Sequence, residues 1–399
     1  MTPRYLTCIA AILLLGQNLI AQDSPCQTKP VPCIQAEPIV DCCHYPPAFN
    51  APAAIDIAQG CGWMSNMFAD ASFLYWHGSE EGLSLGINGV WVPAPLIPMS
   101  KFFLPPNISP LIQASDYHPG FKVGLGFVTD HQWQVRADYT WLRGSTTTNQ
   151  NAPTEFNQTT AAGPTIPSTG LPVWIVDDWF LQGTPNNQGL VASNITSTWH
   201  YAIDFVDAVA GRPYYQGPSV TISPFGGLRA AWIRQSMHVA ITEIPTMFPG
   251  TTPGQPIFSR NRSQCWSIGP KIGFDGSCLL PMGFRLEGNF ATDLLYTRYT
   301  KIAHAEDAAS TDFVPGPYLT GTRDYNCLRT MAEIGLGLGW GKYFACQKYH
   351  VDFSATYDFT YMWRQNMMRL INDEILEGIG SAASDFLLHG LTINGRFDF

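Results

Sequence analysis

The chain has 399 residues, and only 13% of them are charged, compared with about 25% in an ordinary soluble domain. Its apolar residues are dispersed, with a mean hydropathy of -0.02, and no stretch reaches the ~20 consecutive apolar residues of a membrane-spanning helix, which excludes a bundle of such helices. The net charge of -9 argues against nucleic acid as a partner, because proteins that bind it carry basic surfaces. An aromatic content of 13%, with 36 glycines and 31 prolines, is typical of short extended segments joined by loops.

Residues 1–21 have the three parts of a secretory signal peptide. Arg4 provides the positive charge, an apolar stretch runs from Tyr5 to Ile20, and the small Ala21 precedes polar residues. A buried N-terminal helix is the alternative, but nothing amphipathic follows this stretch. We therefore predict an exported protein.

Residues 22–62 are rich in proline and cysteine and poor in large apolar residues, which predicts an extended periplasmic arm that builds no core of its own. The disulfide candidates in this arm are Cys26, Cys33, Cys42, Cys43 and Cys61. Disulfide bonds are the default state of cysteines in an exported protein. Removal of the signal peptide with Cys8 leaves nine of the ten cysteines, and this odd number leaves at least one thiol for a bond between chains. Free thiols and a zinc site that includes His44 are the alternatives, although the C-x2-C spacing of common zinc modules is absent.

Alternation of apolar and polar residues with a period of two predicts a β-barrel over residues 63–399. The clearest segments are 132–142 and 348–361, and weaker copies occur near 68–76, 121–129, 199–209, 220–233, 265–275, 283–296, 329–340 and 386–399. These segments predict about ten strands. The segment 171–180 could hide two more, so twelve or more strands is the alternative.

The predicted connections alternate between short and long. Tight turns follow Thr129, Val209, Asp275 and Gly341, and the connections at the other end are long. This asymmetry is typical of a transmembrane, antiparallel up-and-down barrel in the bacterial outer membrane, with long extracellular loops. A soluble β-sandwich gives no reason for it. Aromatic residues near the predicted strand ends are expected at headgroup level: Trp133, Trp141, Trp199, Tyr201, Tyr296, Trp340, Tyr349 and Tyr361.

Charged residues alternate with the apolar ones, and we predict that they line a polar lumen. The predicted pore-lining residues are Lys122, Arg136, Asp138, Arg229, Lys271, Asp275, Arg285, Glu287, Glu333, Lys348, Asp352, Asp358 and Arg396. With Asp204, Asp293 and Asp398 added, the predicted inward positions carry nine acids and seven bases, which predicts a weak preference for cations. Gly335, Gly337 and Gly339 alternate on the inward face, which indicates either a widened pore wall or room for packing.

The last predicted strand places Leu391, Ile393, Gly395, Phe397 and Phe399 on one face. A C-terminal aromatic residue after such alternation resembles the signal that the bacterial barrel-assembly machinery reads. Phe397 and Phe399 are therefore the expected assembly signal, and the expected partners are this machinery and outer-membrane lipid.

Several short segments occur in a characteristic order: ADASFLYW at 69–76, EEGL at 80–83, PGFKVGLG at 119–126, DYTWL at 138–142, GGLRAAWI at 226–233, SIGP at 267–270 and GLTINGRFDF at 390–399. As an ordered set they resemble the major-outer-membrane-protein-like, pore-forming proteins of the chlamydial and legionellal groups. The resemblance implies a porin barrel that is often homo-oligomeric. In the chlamydial members it also implies an envelope linked by disulfides, which fits the cysteine-rich arm.

Two common motifs, the zinc-protease HExxH and the phosphate-binding GxxxxGK, are absent from the sequence. His304 with Glu306 and Asp307 could form an acid-base pair, but in a predicted long loop these residues are expected to be solvated charges. We expect no enzyme, no cofactor and no metal. Residues 367–378 predict a short amphipathic helix that acts as a lid or contacts a partner.

Two functions follow from these patterns. The first is an outer-membrane porin that allows diffusion of small hydrophilic solutes and is also an abundant envelope component. The alternative is a structural or adhesive surface barrel with a plugged or narrow lumen, linked by disulfides to other envelope proteins. Ten strands would favour the alternative, because side chains fill the interior of barrels of about eight strands.

The cysteines of the arm give a testable prediction. We expect disulfides within residues 22–62, some of them between chains, so a non-reducing gel of freshly isolated envelopes should show bands above the monomer that collapse after reduction. A single monomer band whose thiols are all alkylated before reduction would contradict this.

Overall fold

A computed structural model describes residues 67–92, 101–104, 107–129, 132–153, 171–181, 190–217, 219–243, 256–308, 319–344, 349–376 and 383–398. The predicted signal peptide, the predicted arm with its five cysteines, Lys348 and Phe399 lie outside these residues. The strands are β1 (Met67–Glu80), β2 (Ser84–Val92), β3 (Lys101–Phe103), β4 (Pro110–Ile112), β5 (Tyr117–Val128), β6 (Gln134–Asn151), β7 (Leu171–Val176), β8 (Val191–Gly211), β9 (Tyr215–Gln216), β10 (Val220–Glu243), β11 (Pro256–Leu279), β12 (Phe284–Ala308), β13 (Leu319–Phe344), β14 (Tyr349–Asn366) and β15 (Ser384–Asp398). One helix, α1, spans Leu370–Leu376, inside the predicted segment 367–378.

Ten of these strands close into an antiparallel barrel in the order β1, β5, β6, β8, β10, β11, β12, β13, β14, β15. Closure is made by β15 on β1, from Phe68 opposite Asp398 to Glu80 opposite Phe386. The prediction of about ten strands is confirmed. The segment 171–180 contributes only β7, which pairs with β2 and with the end of β8 outside the barrel, so the alternative of twelve strands is wrong.

The two ends of the barrel differ. The start of β1 and the last residues of β15 lie at the same end of the barrel, where Phe68 pairs with Asp398. The turns 129–133 and 280–283 lie at this end too. The other end carries β2, β3, β4, β7 and α1. Short periplasmic turns and long extracellular loops assign the first end to the periplasm.

Four strands are far longer than a membrane requires. β10 and β11 have 24 residues each, β12 has 25 and β13 has 26, whereas about 9–11 tilted residues cross a bilayer. These strands therefore extend the barrel wall beyond the membrane on the extracellular side. Residues 297–328, one of the predicted long connections, belong in part to this extension.

The outward face carries an apolar band. Its members include Leu125, Ile272, Ile334, Leu336 and Phe353, each more than 40% exposed. Aromatic residues border this band above, and Trp340 and Tyr349 lie near its lower border. The upper border consists of Trp141, Trp232, Trp266, Tyr296 and Trp363. Such borders mark the headgroup levels of the membrane.

Two of the predicted border aromatics lie elsewhere. Trp199 and Tyr201 are 0% and 2% exposed and point into the barrel, where they pack on Phe386 of β15. The prediction was wrong because the upper lumen of this barrel is apolar, so that an apolar side chain there does not indicate the lipid face.

Neighbouring residues of β14 test the assignment of the two faces. Phe353 is 54% exposed on the outward face, and Ser354 lines a cavity inside the barrel. We expect Phe353→Arg to lower the free energy of unfolding by about 2 kcal/mol, because lipid-facing arginine costs ~2–4 kcal/mol at the midplane and less toward the interfaces. Ser354→Arg should cost clearly less. Urea unfolding in lipid vesicles measures both, and equal losses would show that the facing is wrong.

Candidate functional site

The extracellular half of the lumen is filled by an apolar cluster, here called the plug. Its wall residues project from the strands, and its central residues come from the extracellular connections. The plug consists of these buried residues: Trp179, Phe180, Trp199, Tyr201, Met367, Met368, Leu370, Ile371 and Phe386. No described residue of this set leaves more than 8% of its surface exposed.

Hydrogen bonds hold the inserted segments to the wall, to β2 and to each other. The Trp179 indole N–H donates to the carbonyl of Ser84 at 2.6 Å, and the Ser259 hydroxyl donates to the carbonyl of Trp179 at 2.5 Å. Asn372 of α1 donates from Nδ2 to the carbonyl of Asp178 at 2.9 Å. The guanidinium of Arg369 lies 5.5 Å from the Trp179 ring centroid and pairs with Asp177 at 3.2 Å. The helix and residues 177–181 therefore hold each other inside the barrel.

A buried polar group accompanies the plug. His304 lies between Asn261 Oδ1, 2.7 Å from Nδ1, and Glu306 Oε1, 2.7 Å from Nε2. Both His304 and Glu306 are on β12 and point inward with at most 1% exposed, and the backbone N–H of Leu181 also donates to Glu306. The prediction of solvated loop charges was wrong, because β12 continues upward through these residues. Asp307 alone faces outward, where it pairs with Arg260 at 2.7 Å.

Below the plug, ion pairs occupy the lumen at membrane level. Arg229 is 3% exposed and contacts three carboxylates: Asp207 at 2.5 Å from Nε, Asp293 at 2.9 Å from Nη1, and Glu333. Lys271 joins Asp207 at 3.1 Å and Glu333 at 2.6 Å. Five strands, β8 and β10 to β13, are thus cross-linked through the interior.

Smaller ion pairs surround this central network. Arg136 pairs with Asp138 at 2.8 Å, and Lys122 lies 3.7 Å from the same carboxylate. Nearer the periplasmic end, Arg285 joins Asp352 and Glu287. At the closure of the barrel, Arg396 and His350 both contact Asp398, at 2.6 Å and 3.0 Å.

A polar cavity of about 310 Å³ remains between these groups. It runs from the periplasmic strand ends, where Gln134 and Ser277 line it, to Leu74 and Trp76 beneath the plug. Within the described residues no group of three His, Cys, Asp or Glu side chains is arranged to hold a metal ion. None of the described helices has the length and apolar character needed to cross a membrane.

The predicted pore-lining residues that the structure describes all project to the inside. They are Lys122, Arg136, Asp138, Arg229, Lys271, Asp275, Arg285, Glu287, Glu333, Asp352, Asp358 and Arg396. The inward direction of these side chains is therefore established, whereas their role in a pore stays a prediction. Phe397 lies on the outward face of β15 and is 39% exposed.

The prediction of inward acidic residues is wrong for Asp204, and it missed Asp207 and Asp70. Asp204 faces outward, while Asp207, three residues on, points inward to Arg229. Position 204 is even and position 207 is odd, so only one of the two side chains can face the lumen. The inward residues near the plug are apolar, and alternation therefore predicted the wrong face for both. Asp70 was also missed, although it lines the cavity.

The inward glycines of β13 make room for neighbouring side chains. A Cβ on Gly335 would lie 2.3 Å from Asp358 Oδ1, and one on Gly339 would lie 2.6 Å from Glu287 Oε1. The contacts favour packing over a widened wall.

A closed barrel with an apolar outward band and a polar lower lumen defines a bacterial outer-membrane β-barrel protein. The family model described as Legionella pneumophila major outer membrane protein precursor matches residues 111–399, and the chain belongs to this family. No curated protein matches the sequence.

The solved structures that match this chain share little sequence identity with it. The outer membrane protease OmpT from Escherichia coli shares 11% identity, with 84% of this chain and 96% of that chain covered and a TM-score of 0.38. The translocator domain of the autotransporter NalP from Neisseria meningitidis shares 9% identity, with 84% and 89% covered and a TM-score of 0.30. A Pseudomonas aeruginosa FadL homologue shares 8% identity, with 84% and 90% covered and a TM-score of 0.28.

The central ion network gives a test of what holds the lumen. We expect Arg229→Met to cost about 3–5 kcal/mol of unfolding free energy, because it leaves buried carboxylates without a cation. Lys122→Gln is the matched control, since Lys122 is half-exposed and Arg136 still pairs with Asp138; it should cost less than about 1 kcal/mol. Denaturant unfolding in detergent measures both, and equal effects would contradict the assigned role of Arg229.

Proposed function

We propose that this protein is a structural surface barrel of the outer membrane, whose plug closes the lumen and holds the extracellular segments in a fixed arrangement. The observation that carries the proposal is the plug. Its apolar side chains fill the barrel from wall to wall above the membrane, with Trp199 of β8 in contact with Phe386 of β15. An apolar, fully packed cross-section gives no path to water or hydrophilic solutes.

The extended wall supports the same function. β10 to β13 continue beyond the membrane, and α1, Trp179 and Leu181 contact β11 to β13 from inside. This makes the extracellular part a rigid platform of strands and packed loops, suited to contact with the surroundings of the cell. Ten strands also leave a narrower interior than the sixteen to eighteen strands of open porins.

A porin that opens when the plug moves is the second candidate. The polar cavity favours it, because about 310 Å³ of space with charged walls reaches from the periplasmic end to the plug. Arg369 pairs with Asp177, and Asn372 of α1 donates to the carbonyl of Asp178, so α1 and residues 177–181 would have to leave the lumen together. Small hydrophilic solutes would then pass along the charged wall.

We also propose that the periplasmic arm joins the barrel to other envelope proteins by disulfides. The support for this is the cysteine pattern and the exported location. The non-reducing gel described above tests it without reference to conductance.

Conductance in planar bilayers tests the plug. We expect no stable channel from the purified wild-type protein, and channels from the double variant Leu370→Asp with Ile371→Asp, because charges cannot remain in the apolar cluster. Ile375→Asp is the matched control on the same helix, since Ile375 is 63% exposed, and it should stay silent. Stable channels from the wild type would contradict the structural function and support the porin.

The opened variant should prefer cations, which a reversal potential across a salt gradient measures. Inward positions below the plug carry ten acids and six bases in the described residues: Asp70, Asp138, Asp207, Asp275, Glu287, Asp293, Glu333, Asp352, Asp358 and Asp398, against Lys122, Arg136, Arg229, Lys271, Arg285 and Arg396. Acidic pore walls attract cations. Anion preference would show that the loops set the field instead.

A further inference from the structure

An ion-paired carboxylate lies on the outward face of the barrel, at the upper edge of its apolar band. Asp204 accepts hydrogen bonds from Arg143 Nη2 at 2.8 Å to each of its two oxygens. Arg234 Nη2 lies 3.3 Å away, and the Tyr139 hydroxyl donates to the carboxylate at 2.9 Å. Arg143 also donates to the carbonyl of Ile203 at 2.7 Å, so its guanidinium is fixed in position.

Aromatic side chains surround this group. The Arg143 guanidinium lies 4.9 Å from the Trp141 ring centroid. A cavity of about 490 Å³ opens beside it and is lined by Tyr139, Arg143, Asp204, Trp232, Arg234 and Trp266. The cavity has an aromatic floor and a cationic rim, so a molecule with an apolar part and an anionic part fits both.

Further cations extend the rim onto β12. Arg298 is paired in register with Trp266, and Lys301 with Gln264, which is itself opposite Arg234 on β10. Both side chains are exposed, and no carboxylate of the described residues lies within 4.0 Å of either. With Asp204 and the exposed Asp324 on β13 set against the four cations, the patch keeps a net positive charge.

The height of the patch identifies the ligand chemistry. Trp141, Trp232, Trp266 and Tyr296 form the upper aromatic border, and the cations follow one outward position above it. This is the headgroup level of the outer leaflet. Phosphate groups of lipids lie at this level, and arginine binds phosphate, as it binds carboxylate, through two parallel hydrogen bonds. We propose that Arg234, Arg298 and Lys301, in a patch positioned by Arg143, bind a phosphorylated lipid headgroup of the outer leaflet, with the acyl chains on the aromatic floor.

Each side chain has a separate task in this site. Asp204 holds Arg143 against the wall and draws Arg234 toward the cavity, while 54% of the Arg234 side chain stays exposed. Arg298 and Lys301 close the rim from the neighbouring strands. Arg143 is a positioning residue, because both of its guanidinium ends are already bound, and Arg234, Arg298 and Lys301 supply the contacts to phosphate.

The test uses the full-length protein in maltoside micelles, which contain no phosphate, titrated with diphosphoryl lipid A. Tryptophan fluorescence reports binding, since Trp232 and Trp266 line the cavity. The triple variant Arg234→Gln, Arg298→Gln and Lys301→Gln should lose at least about tenfold in affinity, because each cation near a charged lipid contributes about fivefold. Lys342→Gln, which removes an exposed charge at the other end of β13, is the control and should bind as the wild type does. Heat-modifiable migration on gels verifies that each variant is folded.

Two further titrations identify the source of the anion. Lipid A without its phosphates should bind at least about tenfold more weakly than the diphosphoryl form, which is the same loss that removal of the cations causes. Excess inorganic phosphate should leave the lipid bound. Equal affinity for the phosphate-free lipid, or an unchanged affinity of the triple variant, would overturn the proposal and leave only adsorption on the aromatic floor. Displacement by inorganic phosphate would overturn it in favour of a site for free phosphate.

Discussion

The hydrogen-bonded pairing of β1 with β15 is the constraint on which the rest of the structure depends. In lipid, every backbone N–H and C=O needs a partner within the protein, and a sheet with free edges cannot provide it. Thirteen residue pairs join the two strands and remove both edges at once. The ring then fixes a single interior volume, which the side chains must fill or leave to water.

This interior is filled in two different ways along the barrel axis. At membrane level it contains ion pairs around Arg229, where each buried charge has an opposite charge within hydrogen-bonding distance. Buried pairs of this kind contribute little net stability, but the loss of one partner is costly, so they specify which strands face each other. Above the membrane the interior contains the apolar plug, which is a core like that of a soluble domain.

The change of filling explains what the sequence could and could not predict. In the lower half, inward residues are polar and outward residues are apolar, so alternation predicted the strands and the side of residues such as Arg136 and Asp352. In the upper half, the inward residues are apolar because of the plug. Alternation therefore predicted Asp204 as the inward residue in place of Asp207. Alternation also ends where both faces meet water or protein, so the upward continuation of β12 through His304 left no signal. The plug depends on contacts between Trp179 and distant wall residues, which no local pattern contains.

The plug also has a consequence for the order of assembly. Its members lie as far apart in the chain as Trp179 and Phe386, so their contacts have a large sequence separation and become available only after the strands are aligned. Loop-closure entropy makes such contacts late events in folding. If the folding transition state lacks these contacts, the folded protein unfolds slowly, because contacts that form after the transition state must break before the protein can unfold. The finished barrel is therefore protected kinetically, and loosening it requires expulsion of the packed loops before the first strand can separate.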